Sequence, residues 1–159
     1  MLCRDVMTPN PPTLLRDDTI ATAVEMLLLH RTLALPVVEA GNTYVGVFAK
    51  SRLLGLLLPA IVAAEQPLLQ FGPDTLSNLS ELEDQLPQMR KRLAAISDYL
   101  VEPCADTTVP VVAPDWPVVT AVLMVFRTRN FVPVVEPTSG ELVGMISTWD
   151  AIANIRAGI

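Results

Sequence analysis

Near the end of the chain, Gly144 to Asp150 reads GMISTWD. Its polar atoms are two hydroxyls, on Ser147 and Thr148, and the carboxylate of Asp150, placed where an apolar strand gives way to a helix. Two roles are open to them. In one, Ser147 or Thr148 caps the helix and Asp150 sits in the first turn beside the positive end of the dipole. In the other, backbone N–H groups and the two hydroxyls hold a phosphate. The carboxylate would repel that phosphate, so its task is different: it accepts both ribose hydroxyls, as the acidic residue of dinucleotide-binding folds does. Hydroxyls together with a carboxylate thus suit a ribonucleotide better than a bare phosphate.

Other chemistry has little to work with. The single histidine, His30, stands at the end of an apolar helical stretch with no carboxylate or thiol at the spacing of a triad or a metal site. It reads as a helix-end residue. No P-loop-type glycine run is present, and the expectation is that the protein is not an enzyme. A formal charge of −6 with no basic stripe argues against a nucleic acid partner. The longest apolar run, the 12 residues from Leu53 to Ala64, includes Pro59. It falls short of the roughly 20 residues a membrane-spanning helix needs, so no membrane partner is expected. Cys3 and Cys104 lack metal spacing and are read as free thiols in a reducing cytoplasm.

The elements that position GMISTWD occur twice. LPVVE at Leu35 to Glu39 returns as VPVVE at Val132 to Glu136, and Gly46 of GVFAKSR returns as Gly144, 98 residues later. Ile20, Ala23, Val24, Leu27 and Leu28 trace one helix face, which Val118, Ala121, Val122, Val125 and Phe126 repeat. Each copy reads as a short extended piece (PTLL or VPVV), a helix led in by Asp17-Asp18 or Asp115, two strands joined by a glycine turn, and a final helix. The unit is β-α-β-β-α and the fold class α/β (α+β). The first helix is apolar on nearly every side, so it is expected to pack on two sides.

This duplicated unit resembles the cystathionine β-synthase (CBS) domain, and two in tandem resemble the Bateman module. DVMTP at Asp5 to Pro9, the two PVVE strands, the glycines before each final helix and GMISTWD carry the likeness over about 120 of the 159 residues. GMISTWD matches the family's G-h-x-S/T-x-x-D nucleotide motif at Gly144, Ser147 and Asp150. The resemblance implies two repeats packed about a pseudo-twofold axis, with two clefts that bind AMP, ADP, ATP or S-adenosylmethionine. It also implies an adenine slot between the leading strand, at Val109 and Val111, and the residues before and into PVV, at Asn130, Phe131, Val132 and Pro133. Phe131 serves there either by stacking on the base or as core. Trp149 reads as a packing residue of the last helix.

The first copy differs at the decisive positions, with Ala49 where Ser147 stands and Arg52 where Asp150 stands. Its cleft is expected to be degenerate, leaving one nucleotide per chain. Lys50 and Arg52 are either solvated charges or cations that reach a phosphate held by copy two, and Arg127 and Arg129 are the other candidates for that charge. Residues 1–66 form repeat one, 67–97 an inserted linker and 98–159 repeat two. Within the linker, Ser80 and Glu83 look like a capping box for a helix over Ser80 to Ile96, with a break near Pro87; it serves as a bracket across the module or as a docking surface. The whole reads as a regulatory adenine-nucleotide sensor without a catalytic cofactor, a homodimer or higher oligomer through its apolar helices, acting on a target protein that the sequence does not name. The alternative is a ligand-free scaffold that works by oligomerising.

Overall fold

The computed structural model describes residues 1–58, 86–129 and 131–157. Repeat one runs β2 (Leu14–Leu15), α2 (Ile20–His30), β3 (Ala34–Glu39), β4 (Thr43–Ala49) and α3 (Lys50–Leu57), after a short α1 (Cys3–Val6) and β1 (Thr8–Pro9). The inserted segment contributes α4 (Leu86–Ile96), and a 3-10 turn at Glu102–Cys104 leads to repeat two. That repeat comprises α5 (Val118–Thr128), β5 (Val132–Val135), β6 (Leu142–Ile146) and α6 (Thr148–Ala157). Asn130, one of the expected adenine-slot residues, and the Ser80–Glu83 capping box lie outside the described residues.

Local chemistry explains the element boundaries. Helix α2 starts on Thr19, whose hydroxyl accepts the Thr22 N–H at 3.3 Å. Asp17-Asp18, expected as the lead-in, does not cap the helix: Asp18 accepts the Leu15 N–H at 2.7 Å and closes the preceding turn. Both repeats end their first helix on an arginine in the left-handed region, Arg31 at φ 48° and Arg129 at φ 55°. Helix α3 stops at Leu57, one residue short of the position that Pro59 disfavours for helix. Ile20, Ala23 and Leu27 of α2 and Ala121 and Val125 of α5 are the buried stripes. Among the described residues the second side of α2 is not covered: Leu28 is 72% exposed and Leu29 75%.

The two halves trade their leading segments. Beside the hairpin β3–β4 lies β2 on one edge, parallel to β3, and Asp106 bridges Val47 on the other. Beside β5–β6 lies Val112, parallel to Val134, and β1 pairs with β6 through Thr8↔Met145. Thr8–Met145 and Asp106–Val47 are the same pairing seen from the two repeats, as are Leu2↔Pro117 and Leu100↔Thr19. Matched pairs of this kind define a local twofold axis. The cores agree: Cys3 and Val6 from the start of the chain pack with Val112, Val125, Val132 and Ile146, whereas Val101 packs with Leu14, Ile20, Leu35 and Phe48. At the axis the hairpin turns are stitched by Tyr44 N–H to Gly140 O and Leu142 N–H to Asn42 O, both at 2.9 Å.

Helix α4 lies on repeat one. Leu93 and Ile96 pack against its core, and the Arg92 guanidinium donates to Leu58 O. Pro87 falls in the first turn of the described helix, which continues unbroken to Ile96.

The exchanged segments account for the two glycines. A Cβ on Gly46 would stand 2.8 Å from Asp106 O, and one on Gly144 would stand 2.9 Å from Thr8 O and 2.6 Å from Met7 Sδ. Gly46→Ala is therefore expected to destabilise the fold by about 1–3 kcal/mol through displaced backbone. Gly55→Ala, inside α3 with nothing within 4 Å of its Cβ, is expected to stabilise by about 0.5–1 kcal/mol. Urea titrations of the two variants in parallel check both signs.

Candidate functional site

Ser147 and Asp150 form a reciprocal cap at the start of α6. Asp150 Oδ2 accepts the Ser147 N–H at 2.7 Å and the Ser147 hydroxyl at 2.6 Å, while Ser147 Oγ lies 3.3 Å from the Asp150 N–H. The other carboxylate oxygen, Oδ1, accepts the Thr8 hydroxyl at 3.0 Å. Both oxygens are thus engaged, one by the helix and one by the segment that crosses from the start of the chain. Among the described residues Oδ1 accepts only the Thr8 hydroxyl, so its second lone pair stays available to another donor.

Next to this cap a cleft of about 270 Å³ opens, lined by His30, Arg31, Thr32, Leu33, Phe131, Met145, Ser147, Thr148 and Trp149. It is composite: the loop between α2 and β3 of repeat one faces the β6–α6 junction of repeat two. Arg31 and His30 supply the cation and the imidazole on one wall, and the hydroxyls of Ser147 and Thr148 stand on the other. The left-handed conformation of Arg31 turns the chain from α2 into this loop. Ser147 is half-buried and Thr148 exposed, an accessible hydroxyl pair on a cleft that carries positive charge.

The sequence-predicted residues distribute unevenly around it. Phe131, Ser147 and Thr148 line the cleft. Asp150 backs it through the cap, and Gly144 lies under Thr8 in the sheet. Val132 and Pro133 are buried in β5, Val109 packs in the apolar cluster between the repeats, and Val111 is 37% exposed. Phe131 is 4% exposed and packs with Ala34 and Val47 of repeat one, so it is core and cleft floor together. Lys50, Arg52, Arg127 and Arg129 are exposed and do not line this cleft, whose cation and imidazole come from Arg31 and His30. Trp149, expected to pack, is 80% exposed at the cleft rim within the single chain. The signal for residues 30–33 was present: they precede ALPVV as Thr128 to Phe131 precede VPVV, and a twofold carries each such loop to the opposite repeat.

The equivalent junction in repeat one is built differently. Ala49 offers no side-chain cap to α3, and the Lys50 N–H donates to Leu33 O at 2.9 Å. Arg52 sits where Asp150 sits, and its charge acts on Asp106, the counterpart of Thr8. The Asp106 carboxyl is held below the usual carboxylate range, chiefly by the hydroxyl and N–H of Thr108 at 2.6 and 2.8 Å and further by Arg52. Among the described residues no cluster of ligating side chains suits a metal, and no helix is long and apolar enough to cross a membrane.

Two β-α-β-β-α units that exchange leading segments and frame a composite cleft define a paired-repeat, cleft-forming module. The family model of the CBS domain matches residues 3–59 and 96–157, and the chain belongs to that family. Solved structures with the same fold include the CBS-pair protein CBSX2 from Arabidopsis thaliana, at 18% identity over 99% of this chain and 96% of that one, with a TM-score of 0.74. A crystal structure of CBSX2 in complex with AMP shares 20% identity over 99% and 98% of the two chains, with a TM-score of 0.69. The CBS domain pair of MJ0100, solved with 5′-methylthioadenosine and S-adenosyl-L-methionine, shares 18% over 99% and 97%, with a TM-score of 0.61. No curated protein matches the chain in sequence.

Two outcomes follow from this geometry. Asp150→Ala removes the reciprocal cap and the Thr8 link, and is expected to cost about 0.5–2 kcal/mol of stability by denaturant unfolding. Asp106 has a folded pKa below its unfolded one, so its contribution is full above the unfolded value and is lost as pH falls through the depressed folded value. Acid unfolding of Asp106→Asn, compared with wild type below about pH 4, is expected to lack that component.

Proposed function

We propose that this protein is a non-catalytic regulatory module that binds one adenine nucleotide, of the AMP type, per chain and relays its occupancy to another protein. The observation that carries the reading is the composite cleft, where the Ser147–Thr148 hydroxyls and the start of α6 face Arg31 and His30 of the other repeat. A phosphate is favoured by the helix start and the cation, and Asp150 accepts ribose hydroxyls through the carboxylate lone pairs that its cap and Thr8 leave open. The AMP complex of CBSX2 and the adenosine ligands of MJ0100 support the ligand class. ADP, ATP and S-adenosylmethionine are the competing ligands. Such a module would serve energy sensing in the cytoplasm.

Stoichiometry is set by the asymmetry of the two junctions, since Ala49 and Arg52 offer no acceptor for a ribose hydroxyl. Calorimetry is expected to give one AMP per chain, and two tight, similar sites would overturn the reading of the first junction. Asp150→Ala is expected to weaken AMP by about tenfold or more, the worth of a hydrogen bond to a charged acceptor. Wild type is expected to prefer AMP to 2′-deoxy-AMP, and Asp150→Ala to bind the two alike; equal binding of both by wild type would remove the ribose role.

The module acts as a homodimer in this reading. Leu28 and Leu29 of α2, Val119, Leu123 and Phe126 of α5, and Trp149, Ile152 and Ile155 of α6 are each at least half exposed. An apolar helical surface of that kind marks an interaction site. Light scattering at micromolar concentration is expected to return twice the 17.3 kDa chain mass, and a monomer would overturn it.

A further inference from the structure

The wall of the cleft that faces Ser147 and Thr148 carries Arg31, an exposed cation without a counter-charge. Among the described residues the ion pairs are those of Arg16 with Glu39 and Glu102, and Arg31 makes none. Its backbone ends α2 at φ 48°, a position where glycine is the usual residue. An arginine in that conformation costs more than a glycine would, and no ion pair offsets the difference. The charge faces the cleft.

Sign matters on this wall because α2 ends there, at His30, and the last carbonyls of a helix carry the negative end of its dipole. Without Arg31 that end would oppose an anion and suit a cation; the guanidinium reverses the preference. The other charged or titratable groups at the cleft are His30 on the same wall and Asp150 behind the opposite one. Asp150 serves the cap, Thr8 and, in the nucleotide reading, the ribose diol. In a nucleoside the diol and the exocyclic carbon that bears phosphate or sulfur project from opposite ends of the sugar. The exocyclic substituent is thereby left to Ser147, Thr148 and Arg31. Adenosine ligands differ in charge at that substituent: a phosphate is anionic, a thioether neutral and a sulfonium cationic.

We propose that Arg31 determines the specificity of the cleft as a charge filter, admitting an adenosine ligand with an anionic substituent and disfavouring one with a sulfonium. This rests on the nucleotide reading above and removes S-adenosylmethionine from its competing ligands. The test is calorimetry on the full chain, as wild type, Arg31→Gln and Arg31→Lys, with AMP, the neutral 5′-methylthioadenosine and S-adenosylmethionine as probes. Wild type is expected to bind AMP at least about tenfold more tightly than S-adenosylmethionine, the worth of a charge-assisted hydrogen bond. Arg31→Gln is expected to weaken AMP by about tenfold or more while leaving methylthioadenosine unchanged, and Arg31→Lys to recover part of that loss. Equal binding of AMP and S-adenosylmethionine by wild type, or AMP binding by Arg31→Gln at wild-type strength, would overturn the proposal and leave the nucleotide reading standing. Equal weakening of AMP and methylthioadenosine by Arg31→Gln would also overturn it, by showing that the residue shapes the cleft instead of reading charge. Failure of the wild-type chain to bind any of these ligands would remove the nucleotide reading, and this proposal with it.

Discussion

The close approach of backbone to backbone at two glycines is the constraint on which the other features depend. Where Asp106 O crosses Gly46 and Thr8 O crosses Gly144, no side chain fits between the strands. That contact lets the segment leading one repeat complete the sheet of the other. Because each core contains residues from the segment that leads the other repeat, Cys3 and Val6 in one and Val101 in the other, neither repeat closes its hydrophobic interior alone. Cooperativity between the halves is thus built into the packing. A cleft that lies between them inherits a fixed geometry.

The crossing also sets the electrostatics of the site. Thr8 reaches Asp150 because β1 is the edge strand beside β6, and the same crossing in the other half brings Asp106 within the field of Arg52. A helix start with its own reciprocal cap is stable without ligand, so the cleft does not depend on a nucleotide to hold its shape.

Much of this was legible in the residues. Duplication at a constant spacing, strand pairs around a glycine turn and apolar helix stripes all follow short-range rules, and the structure places β3 to α3 and β5 to α6 where those rules put them. The exchange of leading segments was not legible, because nothing local distinguishes a strand that pairs within its own repeat from one that pairs across. Lys50, Arg52, Arg127 and Arg129 follow from reading along each repeat, whereas the loop from His30 to Leu33 comes into view only when the twofold is applied to the PVV strands. Trp149 shows a related limit: helical periodicity says which residues are apolar, not what covers them, and among the described residues nothing covers its ring. Asp150 shows the limit of a motif, since Ser-x-x-Asp at a helix start is equally a cap and a ligand site, and here the cap is made.

Divergence of the two junctions is physically orderly. Thr8 and Asp150 form a hydrogen bond at one crossing, while at the equivalent positions of the other Asp106 feels the charge of Arg52 at longer range, its carboxyl being held mainly by Thr108. Had Arg52 arisen opposite a threonine, it would have lacked its counter-charge; had Asp106 arisen opposite an aspartate, two carboxylates would have repelled across the same short crossing. The two crossings therefore stay free of repulsion by different chemistry, and the backbone pairing of Asp106 with Val47 holds the crossing in repeat one whatever its side chains do. The side chains at the helix starts differ accordingly: Ser147 and Asp150 put a hydroxyl and a carboxylate at one junction, while Ala49 and Arg52 put neither at the other.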